Sequence, residues 1–457
     1  MGYFLKTYRK ELLVDLQFDF EKKRGKIKPM HAVGQPPLAI GANEIESDMF
    51  HYLKEANIPY SRMHDVGGPF GGNMFVDIPN LFRDFDADEN DPDSYDFIFT
   101  DKLFEALMEY GVEPYFRLGV TIENCHGFKA LRIFPPKDFH KWARICEHVV
   151  RHYNEGWANG YHFNIKYWEI WNEPDADFVV ENSDMWRGTK EQFYDLYAIT
   201  ATHLRKCFGD SIKIGGYGCR GLYLGFMRYH EKYSKPHELK PWEIREHYHL
   251  EFFKGFLERV KKDNVPFDFF SHHSYLPVHE TEQVQEYCEE LFAEAGIDDI
   301  EIHINEWNTV KSREMKGTSQ SAAVAAAMMI AMQRRKVTMM CYYDARFHTS
   351  MYAGMFNPLT AKPFCTYYSF AAFGELYRLG DEICVEGEGD GIYALAATNG
   401  EQNGVLITNI GETTTVTTNL QEGYKAYKID SENHMTPVEL DYSCFEIAKY
   451  ETLFLKK

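Results

Sequence analysis

Two glutamates in this sequence lie at the ends of predicted β-strands, where their carboxylates could act on the same bond. Glu173 lies in KYWEIWNEPD, between Asn172 and Pro174, and Glu306 lies in IEIHINEWN. In both segments, strand-forming aromatic and β-branched residues precede the glutamate. If both strands belong to one parallel barrel, their carboxyl ends lie on the same face, and residues far apart in the chain can converge there.

Paired carboxylates of this kind are what the cleavage of a glycosidic bond requires. One carboxylic acid protonates the leaving oxygen, while the other, ionised, attacks the anomeric carbon; in enzymes that retain the anomeric configuration the two lie roughly 5 Å apart. At that distance two carboxylates resist joint ionisation, so we expect the charge of Glu306 to keep Glu173 protonated near neutral pH.

The surrounding sequence predicts the barrel that would position the pair. Segments with helical apolar spacing, such as Tyr95–Tyr110, Asp138–Tyr153 and Lys190–Cys207, separate short strand-like runs, an alternation typical of an α/β fold with a parallel sheet. Eight such units indicate a closed (β/α)8 TIM barrel. The predicted strands are Met30–Gly34, Tyr60–His64, Pro114–Gly119, Tyr167–Trp171, Ile212–Tyr217, Phe267–His273, Glu301–Glu306 and Val337–Tyr343.

A different pattern follows the predicted barrel. From Ile383 to Leu455 the chain consists of short alternating runs with turn signals such as Asn399-Gly400 and Asn403-Gly404, which predicts an antiparallel β-sandwich. The alternating stretch Leu12–Phe20 could add a strand to it. We therefore expect three segments: residues 1–28 joining the sandwich, 29–374 forming the catalytic barrel, and 375–457 forming the C-terminal sandwich.

Composition and cysteine usage exclude several classes of protein. The 457 residues carry a formal net charge of −20, so a nucleic-acid partner is not expected. Nine scattered cysteines without a C-x-x-C pair fit a reducing compartment, and the N-terminal segment lacks the pattern of a secretory signal. The apolar run Ala322–Met332 is too short to span a bilayer and predicts a buried helix. We expect a cytoplasmic protein without a membrane partner; a homo-oligomer is left open.

Three alternative functions have weaker support. His247 and His249 in HYH, and the adjacent pair His272 and His273, match no metal-binding spacing, and adjacent residues rarely share one ion. We therefore expect neither a metal nor a cofactor. The glycine-rich segment Gly67–Gly72 matches no phosphate-binding motif and predicts a substrate loop. A carbohydrate-binding protein without turnover is the third alternative, although both carboxylates are retained.

The motifs WEIWNEP and HINEWN resemble those of the clan A barrel glycosidases, and glycoside hydrolase family 39 in particular. Together with YSRMHD and FFSHHSY, the similarity covers most of the chain from about Ile27. This resemblance implies a retaining glycosidase with Glu173 as general acid/base and Glu306 as nucleophile. It implies further that Asn172 binds the 2-hydroxyl of the substrate, that His64 contacts sugar hydroxyls, and that His273 and Tyr275 line the same subsite, with Tyr275 near Glu306.

Arg62 lies two positions before His64, on the same side of its strand, and could form an ion pair with Glu306 or another pair inside the barrel. His272 and His273 are adjacent, so only one of them faces the barrel interior.

Two departures from the family pattern bear on the substrate. Tyr342, in MCYYDARF, would take the place of the tryptophan that these enzymes usually carry at the end of the eighth strand, in the sugar site. The loop DVGGPFGGNMFVDIPN does not closely match the corresponding sequence of the β-xylosidases. A β-xyloside from plant-type oligosaccharides or glycosides is the favoured substrate; β-galactoside, arabinoside and uronide are alternatives.

Overall fold

The computed structural model describes residues 13–37, 49–66, 76–123, 132–235, 237–308, 312–346, 352 and 354–457. The segment Gly67–Gly72, predicted to be a substrate loop, lies outside these residues. The chain divides into two compact units. One comprises Pro29–Thr309 with Met332–Ala361, and the other comprises Met1–Lys28, Val310–Ala331 and Lys362–Lys457.

A closed barrel of eight parallel strands forms the first unit. Strand β1 (Leu13–Lys26) precedes the barrel strands in the sequence and belongs to the other unit. The eight barrel strands are adjacent in chain order, and the eighth pairs with the first to close the barrel. The predicted (β/α)8 fold is confirmed, and each observed strand end lies within two residues of the predicted one. The strands are β2 (Ala32–Gly34), β3 (Tyr60–Met63), β4 (Glu113–Leu118), β5 (Tyr167–Ile170), β6 (Lys213–Cys219), β7 (Phe269–Ser274), β8 (Glu301–Trp307) and β9 (Met339–Tyr342).

Helices alternate with these strands, and their ends follow local sequence signals. Asp138 caps one helix by accepting hydrogen bonds from His140 N and Lys141 N at 2.8 and 3.1 Å, and Gly156, with φ +76°, ends it. The described helices are α1 (Phe50–Glu55), α2 (Ile78–Leu81), α3 (Ile98–Glu109), α4 (Phe139–Glu155), α5 (Lys190–Phe208), α6 (Leu224–Met227), α7 (Glu231–Ser234), α8 (Pro241–Asp263), α9 (Val278–Ala295), α10 (Ser319–Gln333) and α11 (Cys365–Leu379).

The apolar run Ala322–Met332 lies within α10, and its side chains are almost entirely buried, apart from Val324, which is half-buried. The prediction of a buried helix is therefore confirmed. Among the described helices, none combines the length and the apolar character that crossing a membrane would need.

The second unit contains a mainly antiparallel sheet of nine strands. Besides β1, its strands are β10 (Asp381–Glu386), β11 (Ile392–Thr398), β12 (Asn403–Asn409), β13 (Thr414–Thr418), β14 (Lys425–Ile429), β15 (His434–Val438), β16 (Cys444–Ile447) and β17 (Thr452–Lys456). Alternate residues of these strands, such as Val14, Leu16 and Phe18 of β1, face one hydrophobic core. The strand order in the sheet is β15-β14-β17-β12-β11-β10-β1-β13-β16, in which β1 and β13 form a parallel pair.

This unit takes in more of the chain than the two terminal segments expected from the sequence. Residues 310–331 and 362–374 also belong to it, because α10 and α11 bond to each other and α11 packs on the sheet. Thr366 Oγ1 donates to Ser321 Oγ at 2.9 Å, and Ser369 Oγ donates to Ala322 O at 2.9 Å.

One of the two predicted turn signals forms a turn, and the other is wrong. Asn399-Gly400 connects β11 to β12, with φ +92° at the glycine. Asn403-Gly404 instead starts β12. A Cβ atom on Gly404 would lie 2.7 Å from Leu376 Cδ2, so the glycine lets α11 approach the sheet closely.

Candidate active site

The two glutamates selected from the sequence lie together at the carboxyl end of the barrel. Glu173 follows β5, and Glu306 lies near the end of β8. One carboxylate oxygen of each glutamate and one ring nitrogen of His273 all lie within 4.8 Å of one another. Both side chains are largely buried, with 8% of Glu173 and 5% of Glu306 exposed. The two carboxylates are therefore close enough to act on one bond.

The backbone bends sharply just after β5, at the residues that position Asn172 and Glu173. Trp171 and Glu173 have φ values of +72° and +44°, a left-handed conformation that is uncommon outside glycine. The Glu173 N–H donates to Gly218 O at 3.0 Å. Gly218 itself has φ +60°, and a Cβ atom there would lie 2.7 Å from Asn172 Oδ1 and 3.2 Å from Arg62 Nη2. The bend thus depends on a residue without a side chain on β6.

Arg62, in β3, joins three groups at the floor of the site. Its guanidinium donates from Nε to Glu169 Oε2 at 2.7 Å, from Nη1 to Glu306 Oε1 at 2.8 Å, and from Nη2 to Asn172 Oδ1 at 2.6 Å. Burial alone would lower the pKa of Arg62, but the charges of Glu169 and Glu306 outweigh it and raise that pKa. Arg62 therefore serves both of the ion pairs that the sequence left as alternatives.

His273 lies between the two glutamates. Its Nδ1 is 2.8 Å from Glu173 Oε1, and its Nε2 is 3.6 Å from Glu306 Oε1. Burial alone would lower the pKa of His273, but the charge of Glu306 and the hydrogen bond and charge of Glu173 raise it. Its neighbour His272 points away, towards Gln285 Oε1 at 3.1 Å, so the two histidines face opposite sides as predicted.

The groups around Glu173 oppose the protonated state that the sequence predicted. Burial raises the pKa of Glu173, but the charge of Arg220 at 3.7 Å and the hydrogen bond from His273 outweigh burial and lower that pKa. The expectation considered only the charge of Glu306. Arg220 and His273 supply positive charge that opposes protonation of this carboxylate.

A cavity of about 230 Å³ opens above the two carboxylates. On the Glu306 side, Tyr275 OH donates to Glu306 Oε2 at 2.8 Å, and His64 Nε2 is 3.6 Å from Glu306 Oε1. Burial, followed by the charges of neighbouring cations including Arg62, lowers the pKa of His64 well below its usual value. A neutral imidazole in this position suits contact with hydroxyl groups. Asn172 also lines the cavity, whereas His273, predicted to line it, lies beneath the carboxylates and is fully buried.

Tyr342, predicted to line the sugar site, does not do so. It is fully buried and packs edge-on against Trp307 with ring centroids 5.2 Å apart. Tyr343 lines the cavity instead and donates to Asp65 Oδ2 at 2.9 Å. Adjacent residues at a strand end point in opposite directions, so an error of one position moves the ring out of the site.

Comparison with known proteins decides the family. Residues 54–353 match the model of glycosyl hydrolases family 39. The chain belongs to this family. It is 22% identical over 252 residues to a β-xylosidase from Geobacillus stearothermophilus, in a match that covers 53% of this chain and 42% of the length of that relative.

Solved structures share the architecture of this family 39 chain. A glucosidase from Croceicoccus marinus superposes with a TM-score of 0.74 at 19% identity, covering 98% of this chain and 99% of the other. A family 39 β-xylosidase from Caulobacter crescentus has a TM-score of 0.66 at 15% identity, covering 97% and 99%. At these identities the likeness shows the fold alone.

Sequence reasoning missed one carboxylate beneath the family 39 site. Glu169 is fully buried and accepts hydrogen bonds from Ser271 Oγ at 2.6 Å and Asn305 Nδ2 at 2.5 Å, in addition to Arg62. Three donors compensate the cost of burying its charge. A charged residue inside the apolar strand β5 is the signal that could have identified it.

Among the described residues, one group of possible metal ligands lies outside the active site, on α4 and α5. Single ligand atoms of Glu147, His203 and Cys207 lie within 4.8 Å of one another, and all three residues are half-buried. Glu147 already accepts from Arg151 Nε at 2.8 Å and pairs with His203 Nε2 at 2.5 Å. In the active site, Arg62 Nη1 lies 2.8 Å from Glu306 Oε1, so the guanidinium already supplies a positive charge beside this carboxylate.

Proposed function

We propose that this family 39 chain is a retaining glycoside hydrolase that cleaves the O-glycosidic bonds of plant-type oligosaccharides or glycosides. The separation of the carboxylate oxygens, within 4.8 Å, carries the proposal. Retaining enzymes hold their carboxyl groups roughly 5 Å apart, whereas inverting enzymes need about 6.5–9.5 Å to admit a water molecule. The β-xylosidase relatives favour a β-xyloside substrate. A β-galactoside, an arabinoside or a uronide is the alternative.

In the first step, Glu306 attacks the anomeric carbon and forms a covalent glycosyl-enzyme, while Glu173 protonates the leaving oxygen. Arg62 and Tyr275 hold one oxygen of Glu306 each, which fixes the direction of attack. Because Asn172 Oδ1 accepts from Arg62, the amide NH2 of Asn172 is the group that donates to the substrate's 2-hydroxyl.

The acid proton is shared between Glu173 and His273. The 2.8 Å contact between His273 Nδ1 and Glu173 Oε1 allows the proton to pass to the carboxylate as the leaving oxygen develops charge. In the second step Glu173 accepts a proton from the attacking water, and the bond between the sugar and Glu306 breaks.

A panel of nitrophenyl glycosides tests the activity and identifies the sugar. Proton NMR of the product in the first minutes tests the mechanism, because the anomer released first has the configuration of the substrate in a retaining enzyme. Initial release of the opposite anomer would contradict double displacement.

A non-hydrolytic carbohydrate-binding protein is the second candidate. The same panel separates it, because it would bind a sugar without releasing nitrophenol. The hydrogen bonds that hold both carboxylates in reach of one bond support the enzyme instead. The cytoplasmic location and a homo-oligomeric state stay predictions.

A further inference from the structure

The cavity has a second wall, built from helix α8, that the proposed mechanism does not use. Arg245, Glu246 and His249 of this helix line the cavity together with Glu173 and Glu306. Arg245 and His249 are four positions apart, so they lie on adjacent turns of the same face. Arg245 is half-buried, whereas 1% of His249 is exposed.

This wall lies on the side of the cavity next to Glu173. Tyr248, next to His249 on this helix, contacts Phe178 in the loop that follows Glu173, with ring centroids 6.4 Å apart. His64 lies instead beside Glu306, 3.6 Å from its Oε1. Because the general acid protonates the leaving oxygen, the leaving group lies beside Glu173 and the cleaved sugar above Glu306. Helix α8 therefore faces the leaving group.

The carboxylates that line the cavity already have partners. The pairs are Asp65 with Tyr343 OH at 2.9 Å, Glu173 with His273 Nδ1 at 2.8 Å, Glu246 with His249 Nδ1 at 3.3 Å, and Glu306 with Arg62 Nη1 at 2.8 Å. Arg220 lies 3.7 Å from Glu173 and 3.6 Å from Asp184.

Arg245 is different. Within the part of the chain that the structure describes, it makes no ion pair, and its buried Nε has no hydrogen-bond partner. The same is true of His249 Nε2, whose ring is held by Glu246 through its other nitrogen. A buried donor without a partner is unfavourable. A ligand that accepts from Arg245 Nε would remove this cost, and the imidazolium form of His249 would donate to the same ligand from Nε2.

We propose that Arg245 and His249 form a subsite for a carboxylate on the leaving group of the substrate. This inference rests on the proposed function, because that function places the leaving group beside Glu173. The planar guanidinium fork of arginine matches a carboxylate. In its imidazolium form, which the approach of an anion favours, His249 donates from Nδ1 to Glu246 and from Nε2 to the same anion. The carboxylate could come from a sugar acid or from an aromatic acid.

Matched substrates test the subsite. For the sugar that the enzyme cleaves fastest, the glycoside of para-hydroxybenzoate is compared with that of para-hydroxybenzamide, which has the same shape without the charge. In Arg245→Met we expect the ratio of kcat/KM between acid and amide to fall about tenfold relative to wild type, as for the loss of a charged hydrogen bond. Arg245→Gln, which keeps a polar side chain but carries no charge, should lose the preference too.

Arg259→Met is the matched control, because Arg259 lies on the same helix and pairs with Asp195 at 2.7 Å. This variant should keep the wild-type ratio. A second pair of substrates, a disaccharide ending in a uronic acid and its methyl ester, distinguishes the two sources of the carboxylate. If the wild-type ratio of kcat/KM between charged and uncharged substrate is larger for this pair, the ligand is a sugar acid. If the ratio is larger for the hydroxybenzoate pair, the ligand is an aromatic acid.

The ratio is measured within each variant, so partial loss of folded enzyme does not change it. An unchanged ratio in both Arg245 variants overturns the subsite while leaving the proposed function intact. If wild-type enzyme hydrolyses no glycoside of the nitrophenyl panel, the proposed function fails and the subsite with it.

Discussion

Arg62 and Glu169 form an ion pair at 2.7 Å in which both side chains are essentially inaccessible to solvent. The same guanidinium also donates from Nη1 to Glu306 Oε1 at 2.8 Å. A buried ion pair stabilises a protein little relative to apolar residues, but removing one partner leaves a charge without compensation. This pairing couples the stability of the barrel to the position of the proposed nucleophile, and the two effects can be separated by mutation.

We expect Arg62→Met to lower the free energy of unfolding by about 3–5 kcal/mol, because it leaves Glu169 as an uncompensated buried charge. The double variant Arg62→Met/Glu169→Gln should recover much of that stability, since the amide carries no charge. It should not recover activity, because Glu306 still lacks its cation. Thermal unfolding and kcat/KM of both variants check this. Parallel recovery of activity would show that Arg62 acts only on folding.

Glu306→Ala should lower kcat by about a thousandfold or more, because no covalent intermediate can form. Added azide fits the space left by the carboxylate and should restore part of the rate, giving a glycosyl azide of inverted configuration. Product analysis by NMR provides the measurement. Undiminished activity without azide would remove Glu306 from the mechanism.

Glu173→Ala should affect substrates according to their leaving groups. Aryl glycosides with acidic phenols need little protonation and should lose only a small part of their first-step rate, whereas natural oligosaccharides should lose about a hundredfold or more. The measurement is kcat/KM across a series of aryl glycosides of graded phenol pKa. An equal loss across that series would contradict the acid role.

Arg220→Met should shift the alkaline limb of the pH profile to higher pH. Burial raises the pKa of Glu173 and Arg220 opposes that effect, so removing the cation makes the Glu173–His273 pair hold its proton more tightly. We expect a shift of about one pH unit in kcat/KM. Arg259→Met serves as the control and should leave the limb in place; a shift to lower pH in Arg220→Met would show that Arg220 does not act on the pair.

Acid should destabilise the barrel through buried histidines. Burial lowers the pKa of His31 and of His272 from 6.5 to about 4. Between these values the unfolded chain binds more protons, so the stability that each group contributes is complete above pH 6.5 and is lost as the pH falls towards 4, at up to about 1.4 kcal/mol per pH unit. His272→Gln should flatten the fall in melting temperature over this range relative to wild type. An unchanged pH dependence would mean that His272 titrates as in the unfolded chain.

The sequence was sufficient to predict the barrel and the position of both glutamates, for a physical reason. Parallel barrel strands are buried on both faces, so their apolar runs stand out, and their carboxyl ends must meet on one face. The N-terminal strand also left a clear alternating pattern, which continues in β1 as Val14, Leu16 and Phe18.

What the sequence could not predict depends on contacts between distant segments. The choice between Tyr342 and Tyr343 depends on how the chain leaves β9, and alternation alone does not fix where a strand ends. Arg220 and Arg245 lie in a loop and a helix after β6, where an arginine looks like any solvent-facing cation. The effect of Arg220 on Glu173, which opposes the expected protonation of this carboxylate, became visible only with distances.

Gly218 contributes no side chain to the site, yet its missing Cβ is where Asn172 and Arg62 meet, and its carbonyl oxygen receives the Glu173 N–H. Every larger residue would have to displace the amide or the guanidinium. The space available beside Gly218 therefore limits which residues β6 can accept. In a saturation library scored for activity, substitutions of this glycine should be as damaging as substitutions of the two glutamates, although glycine has no reactive side chain.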